Sequence, residues 1–292
     1  MVTFSQAHDT GKSGTTELNI ESLSPIRSNE MNVAIEAALA AGIRIAQLFG
    51  QIVSVNQKTV DGRPNGLVTQ ADLEAEGIIL ALIRKNFPSH AIVSEESHST
   101  GDASAKHLWV VDPLDGTNNF AHGIPHFSVS IAYLENGRVT CGVVHNPLTG
   151  DWYIAGAGEG AWFNGSRASV SEHSLITETV AGFGFYYDRG KMMQATLDAI
   201  GELFRKQIVG VRRFGSAALD LAYVGVGRFG GYFEYELSPW DFAAGKLFVE
   251  EAGGKVTDCQ GRALPVAKSS VLATNSRLHS EFLNVVSRHW PH

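Results

Sequence analysis

The chain has 292 residues, room for about two domains or one large one, and its 44% hydrophobic and 18% charged composition excludes a mostly disordered chain or a disulfide scaffold. Lysine and arginine number 23 against 30 acids, a net charge of -7 with 11 scattered histidines, so no basic stripe offers a surface to nucleic acid or an anionic membrane. Cys141 and Cys259 are the only cysteines and lie far apart, which fits a reducing cytoplasm and supports neither a zinc cluster nor a CxxC redox site.

Residues 1–28 are rich in Ser and Thr and lack a basic start followed by an apolar stretch, so they read as a flexible arm rather than a secretory signal. No apolar run approaches the ~18 residues that span a bilayer. Met31, Ile35, Leu39, Ile45 and Phe49 recur near helical spacing and predict a buried-face helix from Asn29 that stops at Gly50. Thr69 caps a second helical pattern, which carries Ala75, Ile78, Ile79, Leu82 and Ile83 and closes before Pro88. Short strands follow at His90 to Ser94 and His107 to Val111. Runs Phe127 to Leu134 and Arg138 to Val144 flank Asn136-Gly137, a hairpin signal, and Trp152 to Ala155 continues an antiparallel meander.

After about Ser174 the texture changes. Strands at Val180 to Phe185, Ile208 to Arg212, Tyr232 to Tyr235, Lys255 to Thr257 and Val271 to Ala273 alternate with helices. The helices are Lys191 to Lys206, Ala217 to Val226, Trp240 to Ala252 and Arg277 to Arg288. The chain therefore divides into the arm, an α+β half over 29–174 and a more α/β half over 175–292.

Two motifs invite a function and lack its context. Gly225-x-Gly227-x-x-Gly230 ends a helix, whereas a dinucleotide site needs strand, glycines, then helix. His122 and His126 have the spacing of a zinc pair, yet Pro125 lies between them and breaks the helix that spacing needs.

The informative stretch is Trp109-Val-Val-Asp112-Pro113-Leu114-Asp115-Gly116-Thr117-Asn118-Asn119-Phe120. A strand ends in one acid, and a Pro/Gly turn carries a second, so both carboxylates are expected to point outward at the strand end. Two acids so close repel unless a proton or cation sits between them, and an all-oxygen set without paired His or Cys favours a hard cation, magnesium first. Three more acids stand at element ends: Glu95 beside Glu96 after a strand, and Asp72 and Asp241 at helix starts. Each has an ordinary structural use as well, an Asx turn for Asp112, a solvated pair for Glu95-Glu96 and a helix-dipole contact for Asp72 and Asp241.

Together, Thr69-Gln-Ala-Asp72, Ser94-Glu-Glu-Ser97, the Asp112 to Phe120 segment and Pro239-Trp-Asp241-Phe-Ala-Ala-Gly245, followed by Glu251-Ala-Gly-Gly254, resemble the ordered signature of the inositol monophosphatase family. The resemblance runs from about Asn29 to the C-terminus. It implies a layered αβαβα sandwich of the inositol monophosphatase and sugar phosphatase type, and a cytoplasmic, magnesium-dependent phosphomonoesterase. It further implies a homodimer and lithium sensitivity. Residue by residue it implies that Glu95, Asp112, the Leu114 carbonyl, Asp115 and Asp241 bind metal, and that Asp72 helps hold a weaker ion with Lys58 nearby. Thr117 with Glu95 would orient the attacking water. Gly116 and Thr117 would lie near the phosphate, with Gly215, Ser216, Ala217 and Glu234 around the alcohol half, and Asp241 facing the substrate as well. Five acids bring about five negative charges to a site meant for a phosphate of about -2. Two or three magnesium ions would neutralise them.

Substrate identity is less sharply written. Asn118 in Gly-Thr-Asn-Asn-Phe, followed by Ala-His-Gly-Ile-Pro125, resembles inositol-type members, which points to inositol 1-phosphate. Gly182-Phe-Gly-Phe185 offers no serine where mammalian-type enzymes have one, which keeps sugar phosphates such as fructose 1,6-bisphosphate open, alongside histidinol phosphate and nucleotide 3'-phosphates. Some bacterial relatives assist transcription complexes, so a protein-binding role with a transcription-factor partner is the contrasting reading.

Overall fold

The computed structural model describes residues 3–4, 16–17, 22–51, 54–60, 63–97, 102, 104–185 and 187–291. Most of the expected arm lies outside the described residues, apart from a two-residue antiparallel pairing of β1 (Thr3–Phe4) with β2 (Thr16–Glu17). Its last residues are packed: Leu23 and Ile26 are buried, and Ile26 lies so close to Gly156 that a Cβ there would touch it at 3.1 Å.

Helix α1 (Asn29–Leu48) starts where Ser28 accepts a hydrogen bond from Met31 N at 3.0 Å, and ends at Phe49 with Gly50 at φ +77°. Contrary to the sequence expectation, α1 is long and apolar enough to match a membrane span, with a mean hydropathy of 1.3 over its best window. Most of that window is buried inside the fold, so α1 is a core helix. A short hairpin of β3 (Val55–Val60) and β4 (Arg63–Thr69) follows; its polar sequence, VNQKTV, carries no apolar alternation to announce it. Helix α2 (Gln70–Asn86) packs beside α1.

The first sheet has seven strands: β5 (Ala91–Ser94), β6 (His107–Asp115), β7 (Ser128–Glu135), β8 (Arg138–Asn146), β9 (Asp151–Gly156), β10 (Gly160–Phe163) and β11 (Ser166–Arg167), in the order β11-β10-β9-β8-β7-β6-β5. Only the β5–β6 pair is parallel. Asn136-Gly137 makes the β7–β8 turn, with φ of 52° and 75°. A five-residue helix, α3 (Thr117–Ala121), leaves the end of β6.

The second sheet has the order β13-β12-β14-β16-β15, formed by β12 (Val180–Phe183), β13 (Gly210–Arg212), β14 (Gly231–Leu237), β15 (Lys255–Thr257) and β16 (Ser269–Thr274). Helices α4 (Lys191–Arg205), α5 (Ala217–Gly225), α6 (Pro239–Glu251) and α7 (His279–Arg288) connect it.

The layers follow from which faces each element buries. Helices α1 and α2 cover one face of the first sheet, α5 and α6 lie between the two sheets, and α4 and α7 cover the far face of the second. Four apolar clusters fill the four interfaces of this αβαβα stack, centred on Trp109 and Met31, on Phe248 and Tyr153, on Tyr232 and Phe242, and on Phe233 and Phe282. Strands of the first sheet are covered on both faces, which is why β6 and β7 read as continuous apolar runs without alternation. Gly225, Gly227 and Gly230 carry the chain from α5 to β14, the reverse of a dinucleotide-binding order.

Candidate active site

The chemistry collects at one end of the middle layer, where β6, α2, α5 and α6 converge. Strand β6 does not stop at Val111; it runs through Pro113 to Asp115, and both acids are buried rather than pointing outward. Across the pair with β7, Asp112 faces Ser130 and Asp115 faces Ser128, three steps against two. That bulge makes the difference: strand alternation would send residues three apart to opposite faces, and the extra residue resets the phase so that both carboxylates reach one place. Pro113, without an N–H, is tolerated in the bulge. Gly116 then turns at φ +100°, where a Cβ would also crowd His126 O and Phe127.

Carboxylate oxygens of Asp112, Asp115 and Asp241 lie within 4.8 Å of one another. Each acid also performs its ordinary structural task with one oxygen. Asp112 Oδ1 accepts from Leu114 N at 3.0 Å, closing an Asx turn. Asp115 Oδ2 accepts from Ser216 Oγ at 2.6 Å and Ala218 N at 2.8 Å, which ties β6 to the start of α5. Asp241 Oδ2 accepts from Ser238 N at 2.7 Å as a capping box of α6. A carboxylate has several acceptor positions, so the structural and the cation-binding reading are compatible. Burial raises the pKa of all three acids, with mutual repulsion and Glu95 adding to it; Asp115 reaches about 6 despite its bonds to Ser216 and Ala218.

Asp72 divides its oxygens the same way. Oδ2 accepts from Thr69 N at 2.7 Å and Thr69 Oγ1 at 2.6 Å to close the cap of α2, while Oδ1 accepts from Thr117 Oγ1 at 2.8 Å. Thr117 Oγ1 also lies 3.1 Å from the Leu114 carbonyl, so the hydroxyl sits between two acceptors at the edge of the acid cluster. Burial pushes Asp72 up to about 6 against the pull of the Thr69 and Thr117 bonds. Glu95 pairs with Lys58 Nζ at 2.8 Å, and the neighbouring Glu96 pairs with the same ammonium. Glu96 is not solvated: its side chain is 4% exposed, and burial raises its pKa to about 7. The sequence reading passed over Glu76, one helical turn after Asp72, whose Oε1 accepts from Glu96 N, Ser97 N and Ser94 Oγ and shapes the turn that presents Glu95.

The opposite wall comes from the second sheet. Glu234 on β14 is buried, takes a hydrogen bond from Tyr232 OH at 2.7 Å, and is raised to about 7 by burial. A Cβ on Gly184 would overlap the Glu234 carboxylate, so the missing serine and the position of Glu234 are one packing fact. Ser216 is fully buried, with its hydroxyl on Asp115; Ala217 and Gly215, the latter at φ +88°, open beside it. Asn119 Nδ2 donates to His126 O at 2.7 Å and Phe214 O at 2.8 Å, fastening α3 to the loop before α5. His126 is packed against the Phe214 and Tyr223 rings, and His122 Nδ1 lies 2.7 Å from Asn118 O, so the two histidines do not face a common point. A cavity of about 190 Å³ separates the walls, lined by Lys58, Glu95, Asp112, Leu114, Asp115, Gly116, Thr117, Gly215, Ser216, Ala217, Glu234 and Asp241. Asp72 stands just behind that lining and reaches it through Thr117.

The sequence matches the inositol monophosphatase family over residues 27–290. It is 38% identical over 269 residues to inositol-1-monophosphatase of Rhizobium meliloti, covering 91% of this chain and 98% of that protein. It is 39% identical to Nus factor SuhB of Pseudomonas aeruginosa, covering 89% and 97%. It is 41% identical to the fructose-1,6-bisphosphatase/inositol-1-monophosphatase of Thermotoga maritima, covering 82% and 88%. Among solved structures, extragenic suppressor protein suhB of Bartonella henselae superposes with a TM-score of 0.82 at 37% identity, covering 89% of this chain and 99% of that one.

Proposed function

The chain belongs to the inositol monophosphatase family and is a phosphoric monoester hydrolase, and from that premise we propose that it hydrolyses inositol 1-phosphate to inositol and phosphate with magnesium. The observation that carries this reading is the meeting of Asp112, Asp115 and Asp241 within 4.8 Å at the end of a bulged strand and a helix start. Buried acids at that separation repel, and an all-oxygen donor set suits a hard divalent cation. Asp112, Asp115, Asp241, Glu95 and the Leu114 carbonyl would hold two or three ions between them, with Asp72 at the margin. Bound magnesium supplies charge that lowers the pKa of an attacking water and stabilises the leaving oxygen.

In this reading the protein's own groups do the positioning. Thr117 Oγ1, held by Asp72 Oδ1 at 2.8 Å, orients the water together with Glu95. Gly116 lets the backbone approach the phosphate, and Gly215, Ser216, Ala217 and Glu234 border the alcohol, with Glu234 accepting from its hydroxyls. We read residues 29–174 as the half that supplies most metal ligands and 175–292 as the half that completes the site, within a cytoplasmic homodimer sensitive to lithium. Gly184, which leaves no side chain beside Glu234, favours a sugar phosphate as the second substrate class. Relatives named Nus factor SuhB, in Pseudomonas aeruginosa and Escherichia coli among others, support the transcription-partner reading, and co-purification tests it.

The deciding experiment is phosphate release by the purified protein from inositol 1-phosphate, fructose 1,6-bisphosphate, histidinol phosphate and 3'-phosphoadenosine 5'-phosphate, with magnesium and with excess chelator. Magnesium-dependent release led by inositol 1-phosphate is expected. Full activity in chelator would overturn the metal reading.

A further inference from the structure

Asp220 borders the cavity and has no task in the site as described so far. It stands in the first turn of α5, is 1% exposed, and lines the cavity together with Gly215, Ser216 and Ala217. It lies between the two walls: Asp115 on one side and Glu234 on the other both add to the rise that burial gives its pKa. The other acids of the lining each accept from a donor in the fold, Glu95 from Lys58, Asp112 from Leu114 N, Asp115 from Ser216, Glu234 from Tyr232 and Asp241 from Ser238 N. Asp220 Oδ1, by contrast, is buried with no hydrogen-bond partner among the described residues. The charge of Arg213 opposes the rise in its pKa, but the Arg213 Nη1 stands where a Cβ on Gly215 would go, over the backbone, and does not satisfy Oδ1.

We infer that Asp220 is a second hydroxyl acceptor for the alcohol half of the substrate, set between Asp115 and Glu234, so that the site selects phosphomonoesters whose alcohol is a polyol with at least two free hydroxyls. This rests on the phosphomonoesterase reading of the same site and deepens it. Asp220 is not a further member of the cation cluster, because the carboxylates that come within 4.8 Å of one another are those of Asp112, Asp115 and Asp241. A buried acceptor without a donor is costly, and an apolar side chain of the same size would fill the space without that cost. The donor that Asp220 lacks therefore arrives with the ligand. Beside Glu234, the donor of matching chemistry is another hydroxyl of the same alcohol, and a carboxyl group accepts from it in either protonation state. An alcohol without that hydroxyl leaves the acceptor unpaired, which is how a buried polar group rejects an analogue that lacks its partner.

The test measures kcat/KM in magnesium for the wild type, Asp220→Leu and Asp220→Asn, on inositol 1-phosphate and on 4-nitrophenyl phosphate, whose alcohol half has no free hydroxyl. The ratio of the first to the second is expected to fall on the order of 10-fold in Asp220→Leu, mainly through KM, while Asp220→Asn, which keeps a carbonyl oxygen, retains part of it. In a Glu234→Gln background the Leu substitution should multiply the loss, because the two residues accept different hydroxyls. A loss that disappears in that background would make Asp220 a support for Glu234 and overturn the second acceptor, as would an unchanged ratio. Thermal unfolding without substrate gives a readout apart from activity: Asp220→Leu should raise Tm by about 2 °C or more, since an unpartnered buried acceptor gives way to an apolar side chain of similar size. A lowered Tm would mean that the fold already satisfies the carboxyl, and would overturn the inference too. A wild type that hydrolyses neither ester overturns the phosphomonoesterase reading itself, a result distinct from these.

Discussion

The two walls of the cavity are built on different principles. On the wall proposed to hold metal, three acids are anchored by a bond within their own turn or cap, Asp72 to Thr69, Asp112 to Leu114 and Asp241 to Ser238, while Asp115 is held from the start of α5 by Ser216. On the wall proposed to face the alcohol, Glu234 is placed by packing, through Tyr232 beside it and the space left at Gly184, just past the end of β12. Local anchoring makes the first wall a rigid cradle for charge, and packing makes the second adjustable without disturbing it. That division predicts that changes on the metal wall abolish chemistry and changes on the alcohol wall redirect it.

The largest effect should come from Asp115→Asn. Removing a charge from the acid cluster, while leaving an acceptor for Ser216, should cost several kcal/mol of transition-state stabilisation, about 10³-fold or more in kcat/KM. Calorimetric titration should show weakened magnesium binding in the same variant. Near-normal turnover would remove Asp115 from the metal set and dissolve the contrast between the walls. Thr117→Ala sharpens it: loss of the hydroxyl proposed to orient the water should lower kcat by ~10²-fold or more while magnesium still binds. If binding fell together with turnover, the hydroxyl would belong to the cradle.

On the other wall, Glu234→Gln should reduce kcat/KM for inositol 1-phosphate by about 10- to 150-fold and spare a small phosphoester lacking the hydroxyls. Gly184→Ser should act in the same direction by displacing the Glu234 carboxylate. Equal losses on both substrates would show that the alcohol wall tunes the metal charge rather than substrate choice.

The smallest expected effect is on stability. Asp72, Glu96, Asp115 and Glu234 have folded pKa values of about 6, 7, 6 and 7, all above their ordinary carboxylate values. Between the two sets these acids hold more protons in the folded chain than in the unfolded one, so their stabilising contribution falls as pH rises from about 4 through about 7; His126, His145 and His279, lowered to about 4 by burial, oppose it below about 6.5, and the raised Asp112, Asp220 and Asp241 add to it. In chelator, Tm should therefore be higher at pH 5 than at pH 8, and added magnesium should raise Tm more at pH 8. A Tm that rose with pH in chelator would mean that the acids are not packed against one another as described.

How much of this was legible follows the same line. Helix α1 announces itself through apolar spacing and the Gly50 stop, α2 through the Thr69 cap and its own apolar spacing, and the β7–β8 turn through Asn136-Gly137. Strands β3 and β4 did not, because their sequences, VNQKTV and RPNGLVT, carry no apolar alternation. Glu76 was missed because one acid within an amphipathic helix looks like a solvated charge until the 95–97 turn folds onto it.

The sequence by itself determined the family, the layered order of elements and which acids are available, because caps, turns and apolar periods act over a few residues and are written contiguously. Only the tertiary structure decided that those acids meet. The bulge between Asp112 and Asp115 shows itself in pairing with Ser130 and Ser128, and the Ser216 bond to Asp115 joins residues 101 apart. It alone seated Glu234 in the space left at Gly184 and brought Arg213 over Gly215. Such placements depend on which surfaces the layers bury against each other, and no local pattern of residues carries that information.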